Sequence, residues 1–157
     1  MELLSAAEAA AHPGLRALGP DVLAADFDPA AARVRLRARG EAEIGAALLD
    51  QTAMAGIGNV YKSEILFLER VDPFACVGAL TDETLDRLVA AAARLMRRNL
   101  GSGARRTRSD LSPEPLWVYG RAGMPCRRCG ASVQRARQGE QRRATSWCPA
   151  CQRSAVR

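Results

Sequence analysis

The chain has 157 residues, of which 48% are hydrophobic and 25% charged, so it can bury a core without relying on disulfides. Its net charge of +6 makes nucleic acid the first partner to test, whereas an aromatic content of only 4% argues against stacking along a single strand. We see no positively charged leader and no apolar run long enough to cross a membrane, and we expect a soluble cytoplasmic protein.

Hydrophobic periodicity and capping residues predict a mainly helical body. Residues 15–26 are expected to form a short helix or turn. Asp28 is predicted to cap a helix that begins with Pro29 and ends before Gly40. Further helices are expected over residues 41–54, 59–68 and 81–99. The last of these carries a core-facing apolar stripe, formed by Leu85, Leu88, Val89, Ala92 and Leu95.

The composition changes after the helical body. Residues 101–116 are rich in Gly, Ser and Pro, which predicts a linker. Residues 121–157 hold nine arginines and one acidic residue, Glu140, a net charge of +8, whereas residues 1–120 carry −2. The sequence therefore predicts four parts, which are an N-terminal segment (1–14), a helical domain (15–100), a linker (101–116) and a basic C-terminal module (117–157).

Four cysteines in the C-terminal module have the spacing of a zinc site. Cys126 and Cys129 form one Cys-x2-Cys pair, and Cys148 and Cys151 form a second one after eighteen residues. Residues 131–137 and 143–147 can pair as a β-hairpin between the two cysteine pairs. Four protein ligands would close the coordination shell, so one structural Zn²⁺ is predicted, with redox pairs or disulfides as the alternative. Cys76 stands apart and is expected to be buried.

A glycine-rich turn precedes the predicted helix over residues 59–68. Gly56 and Gly58 allow the backbone to turn sharply, and Asn59 is predicted to cap the helix behind them. Free N–H groups at such a helix start, with Lys62 close by, form a ready phosphate site. A plain turn between two helices would explain the same pattern.

The two motifs together resemble the formamidopyrimidine-DNA glycosylase / endonuclease VIII family. Residues 49–51, 55–61 and 64–67 are similar to its helix-two-turns-helix, and residues 18–21 to the entry into that domain. Residues 118–121, 125–130 and 145–152 are similar to its zinc finger. Residues 62–66 are nearer to the endonuclease VIII members. The resemblance implies a helix-two-turns-helix domain followed by a small β-hairpin zinc finger.

The resemblance also implies which residues contact DNA. Asn59, beside Gly58, matches the asparagine that contacts the backbone next to a lesion. Arg143 matches the hairpin arginine that holds the adjacent phosphate, with Arg142 as the substitute if the register is shifted by one. Lys62 belongs to the same predicted contact surface.

The start of the chain departs from the family pattern. Family enzymes begin with Met-Pro-Glu, where the proline amine is the nucleophile; this chain begins with Met1 and Glu2. The N-terminal β-sandwich domain, with its catalytic lysine, is not recognisable either. No catalytic residue is assigned, and enzymatic activity is left open.

The sequence thus predicts the DNA-binding C-terminal half of a base-excision-repair glycosylase/lyase. Its expected partners are double-stranded DNA, damaged or abasic, and a catalytic N-terminal domain carried elsewhere; no membrane is involved. The alternatives are a zinc-ribbon adaptor that binds another protein, and a lyase that uses a different amine.

Overall fold

The computed structural model describes residues 17–101 and 103–153, and the predicted N-terminal segment 1–14 lies outside them. The described chain is mainly helical and ends in a two-stranded hairpin, which confirms the predicted fold class. Its elements are α1 (Pro29–Arg37), α2 (Ile44–Leu49), α3 (Asn59–Leu68), a 3-10 turn (Val77–Ala79), α4 (Asp82–Arg98), β1 (Gln134–Gln138) and β2 (Arg143–Trp147). None of the described helices is long and apolar enough to cross a membrane.

Capping fixes where helices α1 and α4 begin. Asp28 accepts hydrogen bonds from the amides of Ala30 and Ala31, and Pro29 occupies the first helical position, as predicted. Thr81 caps α4 by accepting from the amide of Thr84. The apolar stripe of α4 is buried in the main core, together with residues of α1, α2 and α3.

Helix α2 is much shorter than the predicted span of 41–54. Its start is drawn into contacts with the chain after α3, since Glu43 forms an isolated bridge with Cys76 and the amide of Ile44 donates to Ala75 O at 2.8 Å. Asp50 ends the helix because its carboxylate accepts from both the amide and the hydroxyl of Thr52, a local bond that competes with the helical one. Residues 17–27 form turns. Of the two structures predicted for this region, a short helix or a turn, the turn is therefore the one that agrees.

The hairpin completes a second, smaller core. Its strands are antiparallel, with Gln134 opposite Trp147 and Gln138 opposite Arg143, and residues 139–142 form the loop. The second core contains Val118, Val133 and two of the cysteines, but also Phe67 from helix α3. Helix α3 therefore contributes to both cores. Cys76 is exposed beside the 3-10 turn, so the prediction that it is buried was wrong.

Candidate functional site

The glycine turn (residues 55–58) is held by a side chain. Gly56 has φ of +107°, a conformation that favours glycine, and its amide donates to Gln51 Oε1 at 2.9 Å. Gln51 Nε2 donates to Leu49 O and to Ile57 O, at 3.0 and 3.1 Å. Gln51 thus fixes the turn from both sides. It was not among the predicted site residues, although a glutamine between a helix end and a glycine-rich turn is a signal that could have found it.

Helix α3 begins without a side-chain cap. Gly58 is the N-cap, and its carbonyl accepts the first helical bond from the amide of Lys62 at 3.0 Å. Asn59 is therefore the first helical residue and not the cap that the sequence predicted. Its side chain is half-buried, and its Oδ1 has no hydrogen-bond partner among the described residues. The helix start consequently presents free amide groups and a positive dipole end.

Lys62 is fully buried between helix α3 and the hairpin. Its ammonium donates to Thr145 Oγ1 at 2.7 Å and to Ala144 O at 3.2 Å. This placement corrects the prediction that Lys62 contacts DNA, because both its bonds and its burial direct it into the protein. Desolvation, followed by the positive charge of Arg143, lowers the pKa of Lys62 to about 8.

A lowered pKa makes stability depend on pH. Between pH 8 and 10.5 the unfolded chain binds more protons at Lys62 than the folded chain, so the free energy of unfolding rises with pH. From pH 7.5 to 9.5 we expect the zinc-loaded chain to gain about 1–2 kcal/mol relative to Lys62→Met, measured as urea midpoints of both proteins. The comparison with Lys62→Met cancels the titration of groups that both proteins share. Stability curves that run parallel with pH would contradict the lowered pKa of Lys62.

The hairpin carries the two predicted arginines at its tip. Arg142 has φ of +54° and closes the loop, where its amide donates to Gly139 O. Arg143 is the first residue of β2, and both arginines are exposed. Arg143 also lines a cleft of about 630 Å³ between the hairpin loop and helix α2, and Gln51 lines the other side of that cleft. The structure thus brings Arg143 and the residue that holds the glycine turn to one cleft, whereas Gly58 and Asn59 are not among the residues that line it.

The four predicted cysteines come together at one point. Their Sγ atoms all lie within 4.8 Å of one another, with 3.5 Å between Cys129 and Cys148 and 3.9 Å between Cys126 and Cys151. Four thiolates around one Zn²⁺ would lie about 3.8 Å apart, given zinc–sulfur bonds of about 2.3 Å. Disulfide sulfurs lie about 2 Å apart, so the arrangement fits a metal and not two disulfides.

The four clustered thiols differ in how readily they lose a proton. A backbone hydrogen bond at Ala131 and the neighbouring Cys148 lower the pKa of Cys129 to about 7. Burial and the neighbouring thiols instead raise the pKa of Cys151 to about 12. A bound cation would hold all four groups as thiolates, so its binding would release protons.

Helix α3 joins the helical body to the C-terminal module through a buried carboxylate. Glu64 is fully buried and accepts hydrogen bonds from the amides of Trp117, Val118 and Tyr119, each at 2.8 Å, and from the hydroxyl of Thr107. The predicted linker is thus packed against the body in part. Sequence reasoning missed Glu64, since its donors lie 43 to 55 residues away.

An aromatic cluster reinforces this junction. Phe67 of α3 stacks on Trp117, with ring centroids 5.5 Å apart. The guanidinium of Arg128 lies 4.1 Å from the Phe67 ring and donates to Phe67 O at 3.1 Å. The module that carries the cysteines is therefore fixed to the same helix that begins at the glycine turn.

Comparison with known proteins identifies the class. Residues 18–110 match the model of the formamidopyrimidine-DNA glycosylase H2TH domain. The chain therefore belongs to the formamidopyrimidine-DNA glycosylase / endonuclease VIII family, as its motifs predicted.

Individual relatives extend the match beyond that domain. The chain is 49% identical over 137 residues to "Probable endonuclease 8 2" of Streptomyces coelicolor, a match that covers 86% of this chain and 49% of that protein. It is 46% identical to "DNA-(apurinic or apyrimidinic site) lyase Nei2" of Mycolicibacterium smegmatis, over 86% of this chain and 52% of that protein. The chain thus spans about half the length of these relatives.

Solved structures show the same fold. The Lactococcus lactis glycosylase in complex with DNA containing an abasic site matches with a TM-score of 0.77 and 30% identity, over 96% of this chain and 57% of that one. A complex of the same enzyme, a G226P mutant, with DNA containing Fapy-dG matches equally well. The similarity includes the hairpin and the cysteine module as well as the helices.

Proposed function

We propose that this chain binds duplex DNA through its phosphates, around a damaged or abasic nucleotide. The observation that carries the proposal is that Arg143 of the hairpin and Gln51, which holds the glycine turn before helix α3, line two sides of one cleft. The related Lactococcus lactis structures contain abasic-site or lesion-containing DNA. The charge of +8 in residues 121–157 would attract a polyanion to the hairpin side.

The start of helix α3 and the hairpin each suit a phosphate in a different way. The uncapped start of helix α3 offers free amides and the positive end of the helix dipole, and Asn59 adds a side-chain amide. Arg143 offers a planar guanidinium that can hold two phosphate oxygens at once. Phosphate contacts position a protein on DNA without reading sequence, so the binding should be independent of sequence.

The metal in this proposal is one structural Zn²⁺ held by Cys126, Cys129, Cys148 and Cys151. Four protein ligands would leave no position for a substrate or water. Its role would be to fix the two ends of the hairpin and thereby the position of Arg143. The division into a helix-two-turns-helix domain (15–100), a linker (101–116) and a zinc finger (117–157) belongs to the same proposal.

The proposal assigns binding, and not covalent chemistry, to the described residues. Lys62 is the single lysine of the sequence, and its buried amine is engaged with the hairpin, so it is not available to form a Schiff base. In the proposed reaction the catalytic groups come from an N-terminal half. That half would correspond to the part of the relatives that this chain does not match. Activity as a glycosylase or lyase would then require that half.

Two substitutions test the proposed contacts. Arg143→Ala should weaken duplex binding about 10- to 100-fold, because a charge-assisted hydrogen bond is lost, and Asn59→Ala about 3- to 10-fold. Affinity would be measured by gel shift or fluorescence anisotropy with an abasic duplex. Arg135→Ala is the matched control, since Arg135 is an exposed arginine of the same hairpin whose side chain points to the opposite face from Arg143.

The outcome also separates the proposal from a protein-binding adaptor. An adaptor would bind the duplex weakly, and all three variants would behave alike. If Arg135→Ala lowers affinity as much as Arg143→Ala does, the hairpin acts only through its net charge and the proposed contact is wrong.

A further inference from the structure

A chain of buried hydrogen bonds runs from helix α3 into both strands of the hairpin. Lys62 Nζ donates to Thr145 Oγ1 at 2.7 Å, and the Thr145 hydroxyl donates to Gln138 Oε1 at 2.7 Å. Gln138 Nε2 then donates to Pro73 O at 2.7 Å and to Glu43 Oε2 at 2.9 Å. Because an ammonium can only donate, the direction of every bond in this chain is fixed. The Thr145 hydroxyl and the Gln138 amide group both find acceptors, and two acceptors face the Lys62 ammonium.

The members of this chain are enclosed by the protein. Lys62 and Thr145 have no exposed surface, and Gln138 is 4% exposed. Gly45 of helix α2 leaves the space for Gln138, since a Cβ at that position would lie 2.2 Å from Gln138 Oε1. The bonded chain therefore links α3, β2, β1 and the start of α2 through a buried junction, which reaches the cleft only at its end, where Gln138 and the half-buried Glu43 line it.

The position of Lys62 relates this junction to the proposed DNA contacts. Lys62 lies in the first turn of helix α3, three residues after Asn59, and its two acceptors belong to the two residues that follow Arg143. No shorter side-chain link between the two proposed contacts is present in the described part of the chain. A methionine would fill the same space without the cost of burying an ammonium, so packing alone does not explain a lysine here.

We propose that Lys62 is a positioning residue, which holds Arg143 at a fixed distance from the Asn59 turn so that both engage one DNA backbone as a preorganised pair. This inference rests on the proposed DNA-binding function. Two contacts held in register bind more tightly than the same contacts on parts that move independently, because the second contact forms at a high effective concentration. Lys62 would supply that register without touching DNA.

Two sets of variants test this. Lys62→Met combined with Thr145→Val removes the donor and the acceptor of the Lys62–Thr145 bond together, although Gln138 Oε1 and Ala144 O each lose a donor. Thr145→Val alone interrupts the chain of bonds, and its matched control Thr145→Ser keeps the hydroxyl. Each full-length, zinc-loaded protein would be checked for metal content and for a cooperative unfolding transition, and its affinity for an abasic duplex would then be measured.

A double-mutant cycle distinguishes positioning from a merely structural role, because it measures whether the contributions of Asn59 and Arg143 to affinity depend on each other. In the natural background, the losses for Asn59→Ala and Arg143→Ala multiplied together should exceed the loss in the double variant by about threefold, since each single change also removes the benefit of holding both contacts. In the Lys62→Met/Thr145→Val background the two losses should simply multiply. Affinity should fall about threefold in that background and in Thr145→Val, but stay unchanged in Thr145→Ser.

The results distinguish the inference from the function on which it rests. If the natural chain does not bind duplex DNA, the proposed function is wrong. The natural chain binding duplex DNA leaves a second question. If a folded variant with the chain of bonds interrupted keeps the natural affinity, and if Asn59→Ala and Arg143→Ala remain non-additive in it, then Lys62 does not position Arg143. Should Lys62→Met/Thr145→Val fail to fold, Thr145→Val compared with Thr145→Ser decides by the same criterion.

Discussion

Removal of zinc should unfold the chain from about Trp117 onward. The hairpin has only five residues in each strand, and its small core includes Cys126 and Cys148, two of the proposed ligands. So short a segment does not bury enough apolar surface to fold by itself, and metal binding then supplies its folding free energy. We expect one zinc per chain by metal analysis and loss of the hairpin amide signals when a chelator is added.

The helical body provides the internal control for this experiment. Its core is formed by residues of α1, α2, α3 and α4 and contains no cysteine. The amide signals of α1 and α4 should therefore persist after chelation, although residues near Glu64 will shift as its donors leave. A hairpin that keeps its signals after complete loss of metal would show that zinc does not hold it.

Glu64→Gln should destabilise the protein by about 3–5 kcal/mol. The carboxylate is fully buried and accepts three backbone amides and one hydroxyl. A glutamine presents one oxygen and an NH2 group, so at least one backbone amide would face another donor, even if the Thr107 hydroxyl turns to accept from that NH2 group. Breaking a buried, charged network of this kind costs more than removing a neutral hydrogen bond. Urea denaturation of both proteins, each loaded with zinc, measures the difference.

A matched control makes the effect specific. Glu41→Gln makes the same chemical change at an exposed position, where substitutions are usually within about 0.5 kcal/mol of neutral. Glu64→Gln should in addition loosen the attachment of residues 117–119, which would appear as faster hydrogen exchange at their amides. Equal midpoints for the two variants would contradict the role that the contacts assign to Glu64.

The parts of the fold that depend on local signals could be predicted from the sequence. Asp28-Pro29 and Thr81 mark the starts of α1 and α4, and strand β2 has the predicted bounds. The cysteine site was predictable because two Cys-x2-Cys pairs encode their own geometry. In these cases the residues that decide the structure lie within a few positions of each other.

The parts that depend on distant contacts were missed or wrong. Helix α2 begins only at Ile44, whose amide bonds to Ala75 O in the chain after α3. Lys62 points into the protein because strand β2, 82 and 83 residues further on, offers it two acceptors. A sequence pattern shows neither which face of α3 the hairpin covers nor which side chains are enclosed when it does so.

The affinity of the chain for an abasic duplex, measured over a series of salt concentrations, tests the central claim most directly. Each neutralised phosphate contributes about −0.9 to the slope of log affinity against log salt. We predict a clearly negative slope that becomes less negative by about 1 in Arg143→Ala, where one phosphate contact is lost. An affinity that does not change with salt, or a slope that Arg143→Ala leaves unaltered, would contradict phosphate binding by this hairpin.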